Sequence, residues 1–138
     1  MNVHADQTRF LRNALMLDGV VSGLGGALLL AVPGPIATLI GVSSAAVVAG
    51  VGVALIVYGL GLWTNARRPV PRRGEVALTL ALNAAWLVGT AVVIEAGGLT
   101  RLGNWILLLV GDAVLTVLAL EIVGLRKMTA ASLATRPT

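Results

Sequence analysis

Cysteine is absent from the 138 residues, and histidine occurs once, at position 4. Without thiols the chain has no disulfide, no thiolate metal site and no thiol redox chemistry. Because His4 lies in a polar N-terminal segment, histidine ligation of haem within an apolar domain is excluded, and three scattered methionines give little support for a methionine ligand. We therefore expect no bound metal and no cofactor.

Charge is also scarce. Charged residues make up 12% of the chain, about half of the roughly 25% that is usual in soluble proteins, whereas hydrophobic residues make up 57%. The mean hydropathy is +0.94. A single domain of this composition is expected to fold mainly within a lipid bilayer.

The few charges are mostly positive, with a formal net charge of +4 and a pI near 11.2. A basic balance of this kind can indicate binding to nucleic acid. Here, however, the basic residues stand in short clusters between apolar blocks, which is where they orient membrane helices. We expect no nucleic-acid partner.

Four apolar blocks dominate the sequence. Each is about 20 residues long, which at 1.5 Å per residue matches a hydrocarbon layer of about 30 Å. They lack the alternation of barrel strands, so helices are the structure that satisfies their backbone groups in lipid. The sequence predicts an all-α, polytopic membrane protein with a four-transmembrane-helix bundle over 14–125, helices at about 14–32, 45–64, 76–96 and 104–125, an N-terminal segment 1–13 and a tail 126–138.

The breaks between blocks are clear. Pro33-Gly34-Pro35 ends the first block, and residues 36–44 are predicted to form a loop, or in part a turn that lies in the membrane interface. An Arg-rich linker with two prolines, residues 66–75, separates the second and third blocks, and Gly97-Gly98 begins a tight turn. The first block could also be a signal peptide, but Asp18 lies within it and no small-x-small cleavage site stands out, so we expect a retained helix.

The basic residues also predict the orientation. Two precede the first span, four lie in the Arg-rich linker and three follow the fourth span, whereas the opposite side has only Arg101. The excess of Lys and Arg marks the cytoplasmic side. We expect a multi-pass protein of the bacterial inner (plasma) membrane with both termini in the cytoplasm.

Small residues recur at helical spacing. The third span has Ala77, Ala81, Ala85 and Gly89 at intervals of four, and the first has Gly19 and Gly23. The second span has Ala45, Gly52 and Gly59 at intervals of seven. Such stripes let helix backbones approach closely in lipid. The sequence leaves open whether the stripe of the third span packs within one chain or between protomers.

Asp112 lies near the middle of the fourth span, and Thr116 shares its face. A carboxylate at the centre of a membrane helix costs about 2.5 to 3.5 kcal/mol, so it usually faces a partner or a wet cavity. Glu121, nine residues beyond Asp112, projects from the opposite side of the helix. We expect Glu121 to be interfacial and to pair with Arg126 or Lys127.

Three more polar side chains lie inside the spans. Asp18 in the first span and Asn83 in the third lie at comparable depth, and Trp86 lies one turn beyond Asn83, away from the span ends where aromatic belts form. A buried indole N–H needs an acceptor, so we expect Asp18, Asn83, Trp86 and Asp112 to form a polar core. Such groups serve as interhelical hydrogen-bond glue, as a site for an ion, proton or small solute, or as contacts with another subunit.

The proline after the first span, the Arg-rich linker, Asn83 with Trp86, and the basic C-terminal end give the chain its overall plan. This plan resembles small four-span bacterial integral membrane proteins of unknown function, a resemblance that implies no activity. The small multidrug transporters combine an acidic first helix with several aromatics. The first span here has Asp18 but no aromatic residue, so their function is not carried over.

No Ser-His or Cys-His pairing, HExxH, P-loop or dinucleotide fingerprint occurs, so we expect no enzyme. The leading hypothesis is binding or translocation of an ion, proton or small cationic solute, with Asp112 as the main group and Asp18, Asn83, Trp86 and Thr116 around it. The alternative is a non-transporting accessory subunit that docks other membrane subunits. Because so small a bundle has little room for a pathway of its own, we expect a homo-oligomer.

Overall fold

A computed structural model describes the backbone of residues 3–69 and 72–134 and the side chains of residues 9–69, 72 and 74–126. In these ranges the chain is all-helical, as predicted. Four helices contain a stretch long and apolar enough to cross a membrane, at 9–31, 45–66, 74–96 and 101–126, which makes this a multi-pass membrane protein. The helices are α1 (Val3–Ala31), α2 (Pro33–Ile40), α3 (Ala45–Ala66), α4 (Arg73–Ala96) and α5 (Arg101–Ala134).

Two helices extend beyond the apolar blocks that predict them. α1 begins at Val3 and α5 continues to Ala134, so most of the N-terminal segment and of the C-terminal tail is helical. Hydropathy marks only the part of a helix that lies in hydrocarbon, and a hydrogen-bonded helix continues into water where the sequence allows it. Residues 1–2 and 135–138 of these predicted flanks, and Val70 and Pro71 of the Arg-rich linker, lie outside the described residues.

The loop predicted after the first span is wrong, because the short helix α2 occupies most of it. Pro33 and Pro35 fall in its first turn, where a missing backbone N–H breaks no helical hydrogen bond. Gly41 ends α2 in a left-handed conformation with φ 88°, and its N–H donates to the carbonyl of Ala37. Pro-Gly-Pro therefore ends one helix and begins the next.

The most extensive helix contact joins α1 to α3, through two pairs of glycines. A Cβ atom added to Gly26 would lie 2.5 Å from the carbonyl oxygen of Gly52, and one added to Gly52 would lie 2.7 Å from that of Gly26. Gly19 and Gly59 form the second pair, at 3.0 and 2.7 Å. Each pair contributes one residue from each helix at intervals of seven, so the two backbones touch along the seam. A Cβ on Gly23 would meet nothing within 4 Å, although its own backbone lies against Gly59.

α5 packs against α1 and α4, and its N-terminal end is joined to α2. The Thr100 N–H donates to the carbonyl of Ile40 at 3.0 Å, and the Thr100 hydroxyl donates to that of Leu39 at 2.6 Å. Near the other end of α5, Gly124 lies against Leu11 of α1. α5 thereby connects the α1–α3 pair to α4.

The small-residue stripe of α4 faces away from these contacts. Ala77, Ala81, Ala85 and Gly89 are all exposed, and a Cβ on Gly89 would meet nothing within 4 Å. The buried residues of α4 are instead Val76, Thr79 and Asn83. Within one chain, the stripe packs against no other helix of the described residues.

Candidate intramembrane polar site

Four long helices each place a polar side chain at the same point between them. The polar cluster consists of Asp18 and Ser22 of α1, Tyr58 of α3, Asn83 of α4 and Glu121 of α5. Asp18, Tyr58 and Asn83 each lie eight or nine residues from the nearer end of their membrane stretch, about 12 to 14 Å along the helix axis. The cluster therefore lies within the apolar layer, in the half nearer to the Arg-rich linker.

Asp18 accepts hydrogen bonds from two hydroxyl groups of the cluster. It is 6% exposed, and the Ser22 hydroxyl one turn away donates to its Oδ1 at 2.9 Å. The Tyr58 hydroxyl donates to Oδ2 at 2.9 Å. These bonds replace part of the water that a carboxylate loses on burial.

Asn83 connects the two carboxyl groups. Its Nδ2 lies 3.5 Å from Asp18 Oδ2 and 3.3 Å from Glu121 Oε2, and its Oδ1 lies 2.9 Å from the Tyr58 hydroxyl. Asn83 is 6% exposed and Glu121 is 0% exposed. One amide nitrogen thus bridges carboxyl groups from the first and last membrane helices.

No basic side chain of the described residues pairs with either carboxyl group. The ion pairs in this part of the structure join Glu75 to Arg68 and Arg72 at the helix ends. Arg12, the nearest base on α1, donates from Nε to the carbonyl of Ala66 at 2.7 Å. Two acidic groups therefore share one buried site with only uncharged donors, an arrangement that favours the uptake of positive charge.

An apolar layer closes the cluster on the side of the Arg-rich linker. It is formed by Leu11, Leu15, Leu62, Ala66 and Val76, with Met16, Tyr58 and Leu125 packed against it. Tyr58 belongs to both, since its ring contacts the layer and its hydroxyl reaches the carboxylate. The layer separates the cluster from the charged ends of the helices.

The oxygen atoms of the cluster are hard ligands, the type that suits a proton or a small cation. Across the described residues, no group of three or more His, Cys, Asp or Glu side chains forms a metal site. No protein-family model, curated protein or solved structure matches the chain. What the site can do therefore follows from its own geometry.

The predicted site residues separate into two groups. Asp18 and Asn83 meet, as the sequence predicts. Asp112, Thr116 and Trp86 do not join them, because all three are exposed on the outer faces of α5 and α4. The Thr116 hydroxyl donates to the backbone carbonyl of Asp112 at 3.0 Å, so it does not bind the carboxylate. The single polar core expected from the sequence is therefore absent from the described structure.

Glu121 corrects a further expectation. The sequence predicts an interfacial side chain paired with Arg126 or Lys127, whereas the structure buries Glu121 completely against Asn83. The side chain of Lys127 lies outside the described residues. The spacing of nine residues does place it on a different face from Asp112, and the face it occupies is the inner one. Glu121 is buried because Gly124, one turn further on, lets α5 approach Leu11 of α1 closely.

Tyr58 is the member of the site that sequence reasoning missed. It is the only tyrosine in the chain, and it lies in a span with no charged residue. One signal was present: like Trp86, it lies away from the span ends where interfacial aromatics concentrate. A mid-span hydroxyl needs a partner in lipid, and the carboxylate at Asp18 supplies one.

Proposed function

We propose that this protein binds a proton or a small cation at the polar cluster, and that its function is transport of that species and not catalysis. The observation that carries the proposal is the meeting of Asp18 and Glu121, from the first and last membrane helices, at one amide of Asn83. Ionisable residues inside membrane spans are costly, and they commonly mark ion pathways and proton relays.

The cost of burying two carboxyl groups favours a cation-binding site over a role in which the side chains only hydrogen-bond the helices to one another. A purely structural role needs only neutral donors and acceptors, and a hydrogen bond between neutral groups stabilises a membrane bundle by about 1 kcal/mol. Two carboxyl groups are a more expensive solution, because each charge must be transferred from water into the apolar layer. A bound positive charge offsets that cost, whereas hydrogen bonds between neutral groups require no bound charge.

The proposal is tested by cation-driven flux in vesicles. Purified protein is reconstituted with a pH-sensitive dye enclosed, and gradients of sodium, potassium or ammonium ions are imposed in turn. We expect at least one cation to change the internal pH faster than in protein-free vesicles. The double variant D18N/E121Q should abolish the response, because it keeps the size and polarity of both side chains and removes both charges.

The matched control is D112N, which makes the same change at the exposed carboxyl group of the same helix as Glu121. It should respond like the wild type. A response that D112N abolishes and D18N/E121Q leaves intact would move the site to Asp112 and overturn its assignment to the cluster. Absence of any response in folded wild-type protein would overturn transport of these species.

A second candidate function, that of an accessory subunit, is favoured by the exposed position of Asp112. A carboxyl group that faces lipid at mid-span costs about 2.5 to 3.5 kcal/mol on insertion scales. Contact with another membrane chain would remove it from hydrocarbon, and the exposed stripe Ala77–Gly89 on α4 offers a second smooth contact surface. This function needs no flux through the cluster.

Native mass spectrometry after mild detergent extraction distinguishes the two functions. Recovery of the chain alone or as a homo-oligomer supports transport, and recovery with stoichiometric foreign subunits supports the accessory role. In the accessory case, replacing Ala81 and Ala85 with Leu should release those subunits, because the added side chains would hold the partner helix away. D18N/E121Q should leave the complex intact.

A further inference from the structure

One carboxyl oxygen in the polar cluster has no hydrogen-bond partner among the described residues. Glu121 Oε1 is fully buried and receives no hydrogen bond, and Glu121 Oε2 receives only the 3.3 Å bond from Asn83. Asp18, by contrast, accepts from two hydroxyl groups at 2.9 Å. The two acids are therefore unequal, and Glu121 is the poorly satisfied one.

The donors available to the cluster can be counted from its chemistry. Ser22 and Tyr58 supply one hydrogen each and Asn83 supplies two, against the four carboxyl oxygens of Asp18 and Glu121 and the amide oxygen of Asn83. The single hydrogen of Tyr58 has two acceptors, Asp18 Oδ2 and Asn83 Oδ1, and it can serve only one of them fully. With both acids ionised, the cluster is therefore one hydrogen short.

Rotation of the Asn83 amide by 180° about its Cβ–Cγ bond exchanges Oδ1 and Nδ2, and it changes which groups receive the hydrogens while their number stays the same. Nδ2 then donates to the Tyr58 oxygen, and Tyr58 gives its hydrogen to Asp18 without competition. The Asn83 oxygen now faces both carboxyl groups, so one of them must carry a hydrogen to donate to it. Glu121 is the one that fits, because Asp18 already accepts from two hydroxyl groups, whereas Glu121 Oε1 accepts from none.

We propose that Glu121 is the proton-binding group of the cluster and that the Asn83 amide rotates by 180° when Glu121 is protonated. The proton comes from water and forms an O–H bond on the Glu121 carboxyl group, which then donates to Asn83 Oδ1. The titratable side chains facing Glu121 in the described structure are Asp18 from α1 and Tyr58 from α3, while α4 contributes the uncharged Asn83. Asp18 keeps its hydrogen bonds from Ser22 and Tyr58 in this arrangement.

This inference rests on the proposed function in one respect, since it identifies the proton as one species that the site exchanges. Proton uptake by Glu121 lowers the negative charge of the cluster by one unit. A metal cation and this proton would therefore compete for the same charge, and cation binding would release the proton to water.

Infrared spectroscopy of the protein in lipid vesicles tests the inference without any flux measurement. A protonated carboxylic acid has a C=O stretch that is separate from the carboxylate bands and shifts in D2O. We expect the wild type to show such a band that disappears reversibly as the pH is raised. The band should be absent from E121Q and retained in E95Q, the same substitution at an exposed glutamate near the far end of α4.

Two further spectra keep the inference falsifiable if E121Q folds poorly. In E121D the acid band should persist at a shifted frequency, because the carboxyl group remains. In N83A the band should move to higher frequency, because the acid loses its acceptor. A pH-dependent band that survives in folded E121Q, or one unchanged in N83A, would overturn the assignment to Glu121 or the role of Asn83. An acid band without cation-driven flux would support this inference and count against transport. Cation-driven flux without the acid band would support transport and count against protonation of Glu121.

Discussion

The substitution G26A tests the backbone contact that holds Asp18 beside Tyr58. The Cβ of the new alanine would lie 2.5 Å from the carbonyl oxygen of Gly52 and 2.9 Å from the backbone nitrogen of Ile56. Contacts of a Cβ atom below 3.0 Å essentially do not occur, so α1 and α3 must separate by at least about 0.5 Å. Both neighbours are backbone atoms, and no side-chain rotation can relieve the contact.

The expected magnitude follows from two opposing effects. Overpacking of a tight contact costs about 1–3 kcal/mol, and replacing glycine by alanine within a helix returns up to about 1 kcal/mol. With the full helix gain returned, the net loss is about 0–2 kcal/mol, which lowers the folded-to-unfolded ratio by up to roughly 30-fold. Separation of α1 from α3 should also lengthen the 2.9 Å bond between Tyr58 and Asp18.

The assay is unfolding of the protein in mixed micelles by increasing mole fractions of sodium dodecyl sulfate, followed by circular dichroism. The control is G25A on the adjacent residue, where an added Cβ meets nothing within 4 Å. G25A should be as stable as the wild type or more stable by up to about 1 kcal/mol. Equal stability of G26A and G25A would refute the close approach of α1 and α3.

Three further predictions concern the site and the orientation. Y58F should destabilise the protein by about 1.5–3 kcal/mol in the same unfolding assay, because Asp18 loses a charge-assisted hydrogen bond; stability equal to the wild type would show that this bond is absent. D112N should leave the Glu121 acid band and its pH dependence unchanged in the infrared assay, and a shifted band would place Asp112 in the site. Since the chain has no cysteine, the variants G74C and E95C each carry a single thiol, and the two thiols lie at opposite ends of α4. A membrane-impermeant thiol reagent added to intact cells should label E95C and not G74C. Labelling of G74C alone would reverse the predicted orientation.

The sequence predicts the helical spans well because burial in lipid imposes a simple requirement. Every backbone polar group must be paired within its own segment, so an uncharged run of about 20 residues becomes a helix. α3 and α4 follow their apolar blocks to within three residues at each end. Hydropathy does not predict α2, because prolines usually break a helix. The prolines of α2 are compatible with a helix because they lie in its first turn.

The composition of the site was harder to predict, because hydropathy gives the depth of a residue and not the direction in which its side chain points. Asp18 and Asn83 were predicted to share a depth, and they meet because α1 and α4 both turn those residues inward. Asp112 and Glu121 lie on the same helix, and from the sequence alone Asp112 is the stronger candidate for a functional site because it lies at mid-span. Rotation of α5 about its axis decides which of the two is buried.

That rotation is set by small residues that lie far from Asp112. Gly124 fits against the backbone and side chain of Leu11 of α1, where an added Cβ would lie 3.0 Å from Leu11 Cδ1, and Gly111 faces Leu87 and Thr90 of α4, each of which would lie 3.9 Å from an added Cβ. These two contacts hold α5 against α4 at Gly111 and against α1 at Gly124, and together they orient the segment between them. Glu121, one turn before Gly124, must then face α1 and α4, and Asp112, next to Gly111 but rotated by about 100°, must face outward. The buried acid is thus selected by glycine packing, which requires knowledge of the neighbouring helices.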